Sequence, residues 1–357
     1  TLAERDGKLY ARGVADDKGM LQCRLSAIDA VLAARGGELP CTIKFILEGE
    51  EETSSANIPL FVRDNREKLA ADGCIWEFGG VNHQGAPMQM LGMRGICYVE
   101  LSAQTASIDA HSGLGGSIFP NAAWRLVWAL ASLKGPDERI RLPGHYDAVR
   151  PPSARDMELL AALPEYADDL RERYGVPHFL KGVKDGAALK AQEVFEPTCT
   201  ICGLTAGYQG PGSKTVLPAR ASAKVNFRLV PDQRPEDVLR NLRAHLDAEG
   251  FSDVQIDYLG GDPPGRTDPD HPFIQMVVKT AKDVYGMEQI IQPMIGGSGP
   301  NHPFIEYLGV PIASCGAGYP GAQVHAPNEN MVVEHFIQGT RHTARVIEGM
   351  AGVEAQK

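Results

Sequence analysis

Long apolar runs are missing from this 357-residue chain. No stretch approaches the roughly 20 consecutive apolar residues that a membrane-spanning helix needs, and the first residues carry no signal-peptide pattern. Basic runs are missing as well; with a formal net charge of −10, the composition argues against nucleic acid as a partner. Cysteine is sparse, odd in number and scattered: Cys23, Cys41, Cys74, Cys97, Cys199, Cys202 and Cys315. Such a set builds no disulfide framework and points to reduced thiols and a cytoplasmic setting. Cys199 and Cys202 form a CxxC, but no second CxxC exists to complete a zinc site, and the surrounding PTCTICGL reads as a strand. Internal repeats and low-complexity segments are also absent. The chain opens on Thr1 rather than Met, so a processed or partial form is expected.

What is present is a hydrophobic content of 43%, enough for more than one core, and a length that suits two or three domains. Apolar periodicity predicts helices over 20–34, 57–69, 122–133, 235–250, 271–285 and 331–350. Strands are predicted at 42–47, 74–76, 86–92, 95–103, 219–230, 251–259 and 310–315. The ends of the chain alternate strand, loop and helix. The middle forms a separate strand–helix–strand module that leaves through the loop GGDPPGRTDPD at 260–270. This pattern predicts an α/β domain, with a mixed sheet flanked by helices, interrupted by an inserted α+β domain. The expected division is residues 1–92 with 263–357, and 93–262.

Four acidic or imidazole positions sit where a strand gives way to a loop, the place where open α/β sheets hold their ligands. They are Asp16 in GVADDKG, Glu51–Glu52 in EGEEETSS, Glu77 in IWEFGG and His325 in VHAPNE. Carboxylate oxygens and an imidazole nitrogen suit zinc or a similar divalent ion. Converging carboxylates repel one another without a cation between them, and a further free carboxylate beside a metal-bound water can act as general base. Taken singly, each feature has an ordinary reading: a solvated acidic face, a loop histidine, a polar turn.

Eight motifs in order, RGVADDKG, EGEEETSS, GMRGICYVEL, DAHSGLGG, KTVLP, NFRLVP, GGSGPN and VHAPNEN, resemble the zinc aminoacylase/carboxypeptidase/dipeptidase superfamily, above all its cytosolic nonspecific dipeptidase branch. The resemblance implies a zinc-peptidase-like catalytic domain with an inserted lid that forms a homodimer. It also implies two divalent ions, zinc or alternatively manganese or cobalt, and small peptide or N-acyl amino acid substrates. By the resemblance Asp16 bridges the two ions, with a cis Asp16–Asp17 peptide. Glu52 and His325 hold one ion, Glu77 the other, and Glu51 is the general base. His111 reaches the partner subunit's site to hold the oxyanion. Arg228, with Thr215, Gly297 and Ser298, clamps a substrate carboxylate.

The superfamily's upstream His-x-Asp motif is not found before Asp16, so the second metal site is expected to keep only Asp16 and Glu77, with a sheet edge and apolar helix faces exposed. His145-Tyr146-Asp147 is a look-alike inside the lid region rather than a substitute. Two alternatives stay open. Glu77, where the dipeptidases carry Asp, leaves room for a deacylase of the acetylornithine or succinyl-diaminopimelate kind. The missing motif leaves room for an inactive homologue that binds ligands without cleaving them.

Overall fold

Every second residue of the strand Gly95–Gln104 is buried, with Cys97, Val99, Leu101 and Ala103 on one face. Period-two burial is the mark of a strand covered on one side only. In the computed structural model, which describes residues 1–53 and 55–352, this strand lies within a four-stranded antiparallel sheet. The order is Gln255–Asp262, Gly95–Gln104, Arg220–Leu229, Thr198–Ala206. The central pair stays in register from Arg220 opposite Gln104 to Leu229 opposite Gly95. Helices Ala122–Leu133 and Pro235–Ala248 cover the apolar face, where Leu126, Leu133, Leu242 and Leu246 meet Val99, Leu101, Val225 and Phe227. The first helix starts where Asn121 Oδ1 accepts the amides of Ala123 and Trp124, a cap that stabilises by about 1 kcal/mol.

Segments from the two ends of the chain build the other unit together. Cys74–Ile75 pairs in parallel with Ile312–Ala313, and Pro87–Met90 in parallel with Ile290–Gln292 and antiparallel with Gly80–Val81, giving mixed pairing as expected. Helix Lys18–Ala34 buries Met20, Cys23, Ala27 and Val31, and Val31 meets Ile347 of helix Val333–Gly349 in one core. A three-stranded antiparallel ladder of Ala3–Arg5, Lys8–Tyr10 and Asn330–Val332 ties the beginning to the end; its strands are too short to show periodicity.

Three expectations need correction. Residues 42–47 are neither helix nor strand, and Phe45 and Leu47 are 42% and 68% exposed. High β-propensity does not make a strand without a neighbour to complete its backbone hydrogen bonds, and none pairs here among the described residues. The helices over 57–69 and 271–285 are each broken in two, at Asn65 and Ala281. Finally, residues 154–195, assigned by sequence to the middle module, pack on the α/β unit. Leu160, Leu163, Val194 and Phe195 share a core with Met88 and Met294, and Leu159 packs with Phe273 and Ile274. The CxxC is strand, as expected, with Cys199 buried and Cys202 exposed.

Candidate metal centre

Asp16 sits in the turn between the strand Lys8–Tyr10 and helix Lys18–Ala34, and the Asp16–Asp17 peptide is cis. The turn closes on Gly19, where a Cβ would fall 1.9 Å from the Val14 carbonyl oxygen. Glu329 holds it in place. This buried carboxylate accepts the amides of Gly13 (3.0 Å), Ala15 (2.9 Å) and Asp16 (3.1 Å), and Arg12 donates to it at 2.7 Å. Burial works to raise its pKa, but the three amides and the Arg12 charge prevail and hold it below the usual carboxylate range. Glu329 thereby joins the loop carrying Asp16 to the loop carrying His325. Sequence reading passed over it, although it lies within VHAPNEN four residues after the histidine. His325 itself has φ +59°, a left-handed conformation uncommon outside glycine and frequent where function imposes strain.

The 3₁₀ turn Glu51–Thr53 brings up the acidic pair. His325 Nε2 stands 3.0 Å from Asp16 Oδ2 and 3.0 Å from Glu52 Oε2, and ligand atoms of all three residues lie within 4.8 Å of one another. Glu77 follows the strand Cys74–Ile75 and precedes Gly79 and Gly80, where a Cβ on Gly80 would meet the Gly318 carbonyl oxygen at 1.9 Å. Burial first, then the charges of Glu51, Asp17 and Asp16, push Glu77 up to about 8. Burial also raises Asp16 and Glu51, with Glu52 the next contributor to each. Asp17 rises to about 6, mainly by burial, against the opposing charge of Arg24. Arg24, a second residue missed from sequence, donates to the carbonyls of Trp76 and Glu77 and lies 3.9 Å from Asp17.

These carboxyl groups are crowded and disfavoured in their ionised form, and that is the condition a divalent cation relieves. The residues fit such an ion: Asp16, Glu52 and His325 offer two oxygens and a nitrogen, and Glu77 offers a further oxygen in the same field.

The remaining candidates fall into two groupings. Arg228 donates to Ser298 Oγ at 2.6 Å, and the carbonyl of Gly297 accepts the Arg94 amide at 2.9 Å. His111 and Thr215 face each other at 3.1 Å, Nε2 to Oγ1, across the paired strands Ala110–His111 and Val216–Leu217. The Gly113 amide donates to His111 Nδ1 at 3.1 Å, so a neutral imidazole carries its proton on Nε2. Among the described residues no hydrogen bond or ion pair joins either grouping to the Asp16–Glu52–His325 cluster.

His145 is elsewhere, buried against Phe227 at 6.0 Å between ring centroids, with neither ring nitrogen partnered among the described residues. Burial pushes it down to about 4, and buried His342 likewise. A depressed histidine favours the folded state above the unfolded pKa and withdraws that support as pH falls toward the folded one. We expect wild type to lose about 2–3 kcal/mol more than His145→Phe between pH 7 and pH 4, read by urea unfolding at both values. An equal loss in the two proteins would show that His145 titrates normally.

Residues 1–349 match the family model described as Peptidase family M20/M25/M40. The chain is 28% identical over 354 residues to the Beta-Ala-His dipeptidase of Mus musculus, covering 96% of this chain and 70% of that protein. It is 31% identical over 258 residues to the Rattus norvegicus protein of the same name, covering 70% of this chain and 50% of that one. The matched stretch thus spans half to seven-tenths of these relatives. Among solved structures, an M20 family metallo-carboxypeptidase from Sulfolobus solfataricus superposes with a TM-score of 0.92 at 32% identity, over 98% of this chain and 79% of that one.

Proposed function

We propose that this chain, which belongs to peptidase family M20/M25/M40, hydrolyses the amide bond of dipeptides and similar small substrates that carry a free carboxylate. The convergence of Asp16, Glu52 and His325, with Glu51 and Glu77 in the same electrostatic field, carries the reading. In it Asp16, Glu52, His325 and Glu77 would hold two divalent ions, zinc by preference: Glu52 and His325 would serve one site, Glu77 the other, and Asp16 both. When bound, the ions polarise the amide carbonyl and acidify a water. Glu51 takes that water's proton on its carboxylate and passes it to the leaving nitrogen. Arg228 and Ser298 hold the substrate carboxylate with Gly297 beside them, and Thr215 acts from the His111 grouping. His111 donates from Nε2 to the carbonyl oxygen, in the site of a second subunit.

A homodimer belongs to the same reading. Trp124 and Trp128 stack on the outer face of helix Ala122–Leu133 while 57% and 55% exposed, beside exposed Val127. Such an apolar face is the kind a second copy covers. The working division is the α/β unit, with 154–195 added to it, and the sheet module as lid. Seven free thiols accord with a cytoplasmic setting. The relatives are dipeptidases and a carboxypeptidase by name, which favours peptides over N-acyl amino acids.

The test is a panel of dipeptides, dipeptide amides and N-acyl amino acids with zinc-loaded protein. Dipeptides are expected to turn over best. Arg228→Ala is expected to lower kcat/KM for them roughly 10²-fold, mostly through KM, and to leave dipeptide amides within about twofold. Equal losses on both would remove the clamp assignment. No turnover of any dipeptide by wild type would favour the non-cleaving homologue.

A further inference from the structure

Glu193 stands beside the carboxylate clamp with one carboxylate oxygen held by Tyr166. It lies near the end of helix Gly186–Phe195 and is exposed. The Tyr166 hydroxyl donates to its Oε2 and so fixes the carboxylate, while Oε1 accepts no hydrogen bond among the described residues. The acids around it are matched: Glu196 pairs with Lys181, and Glu165 lies 3.9 Å from Lys190. Glu193 makes no close ion pair among the described residues, although its charge acts on the buried Arg94 guanidinium. Its Oε1 faces the glycine loop, where a Cβ built on Gly296 would lie 3.8 Å away. The next two residues are Gly297 and Ser298, and Ser298 is bonded to Arg228.

Arg94 fixes this arrangement. From a buried position its guanidinium donates to the carbonyls of Glu193 at 2.7 Å, Glu196 at 2.6 Å and Arg228 at 3.4 Å, while its amide donates to Gly297. Helix end, glycine loop and clamp strand are therefore held by one residue. An unpaired carboxylate next to a clamp for carboxylates repels the ligand unless the ligand brings a positive charge to it. We infer that Glu193 selects dipeptides whose C-terminal residue has a basic side chain.

This inference rests on the dipeptidase reading, so two readouts are needed. In the first, zinc-loaded protein hydrolyses Ala-Lys, Ala-Ala and Ala-Glu, and kcat/KM is expected to fall by about tenfold at each step in that order. Glu193→Gln brings the Ala-Lys to Ala-Ala ratio to within about twofold, and Glu193→Lys inverts the order, both through KM. In the second, calorimetry follows binding of free lysine, alanine and glutamate, where no turnover is involved. Lysine binds tightest to wild type and loses its advantage in Glu193→Gln. Absence of hydrolysis with this binding order intact defeats the dipeptidase reading alone. Equal binding of the three amino acids, no binding, or ratios untouched by either variant overturns the role of Glu193.

Discussion

Glu51→Gln is expected to reduce kcat by about 10³-fold, within the span attributed to a positioned general base, while zinc per chain stays at the wild-type value. The amide keeps the size of the side chain and its place in the turn Glu51–Thr53 but cannot accept a proton. Glu52, its neighbour, is the one that meets His325 at 3.0 Å, so the ligand set survives the change. Burial, and then the repelling charges of Glu52, Asp16 and Glu48, raise the pKa of Glu51 in the metal-free chain. Elemental analysis beside steady-state kinetics separates the roles: zinc lost together with activity would make Glu51 a ligand, and retained activity would move the base elsewhere.

Asp16→Asn is expected to act in two opposite directions. Zinc content should fall below one ion per chain and kcat/KM by about 10³-fold or more, because the residue shared by both sites is gone. The metal-free protein at pH 8 should become more stable, its melting temperature rising by roughly 2–4 °C. Glu77 is raised from 4.5 to about 8, partly by the charge of Asp16. The folded chain therefore holds that proton more tightly than the unfolded one. Metal-free stability is full below about 4.5 and is lost as pH rises through about 8. Removing one repelling carboxylate relieves part of that loss, whereas in zinc-loaded wild type the ions neutralise the same charges. Calorimetric melting with and without zinc reads both effects. A variant that binds zinc normally, or whose metal-free form is no more stable, would show that Asp16 is not the shared charge of the site.

Much of this was legible before any fold was known. The helix 122–133 follows from its apolar spacing after Asn121, and the long alternating strands at 95–103 and 219–230 follow from their period of two. Asp16, Glu52 and His325 were named from the motifs that carry them, and the fold brings their ligand atoms together. The unread parts share a physical reason. Glu329 and Arg24 act on main-chain groups, through the amides of Gly13, Ala15 and Asp16 and the carbonyls of Trp76 and Glu77. Backbone partners leave no trace in side-chain patterns. Residues 42–47 have strand composition, yet pairing depends on a neighbour rather than on the segment itself.

The amino-acid sequence by itself determined the chemistry available to this protein: which carboxylates and imidazoles exist, that they lie at loop ends, and which segments bury one face. Local spacing is enough for that, since hydrophobic period and donor type are properties of short stretches. Only the tertiary structure decided which groups share a field. It set Glu77 among Glu51, Asp16 and Asp17, left His145 in an apolar core with unpartnered nitrogens, and moved residues 154–195 onto the α/β unit, placing Glu193 beside the Arg228–Ser298 pair. Charge interaction and desolvation depend on distances across hundreds of residues of chain, and those distances exist only once the chain has packed.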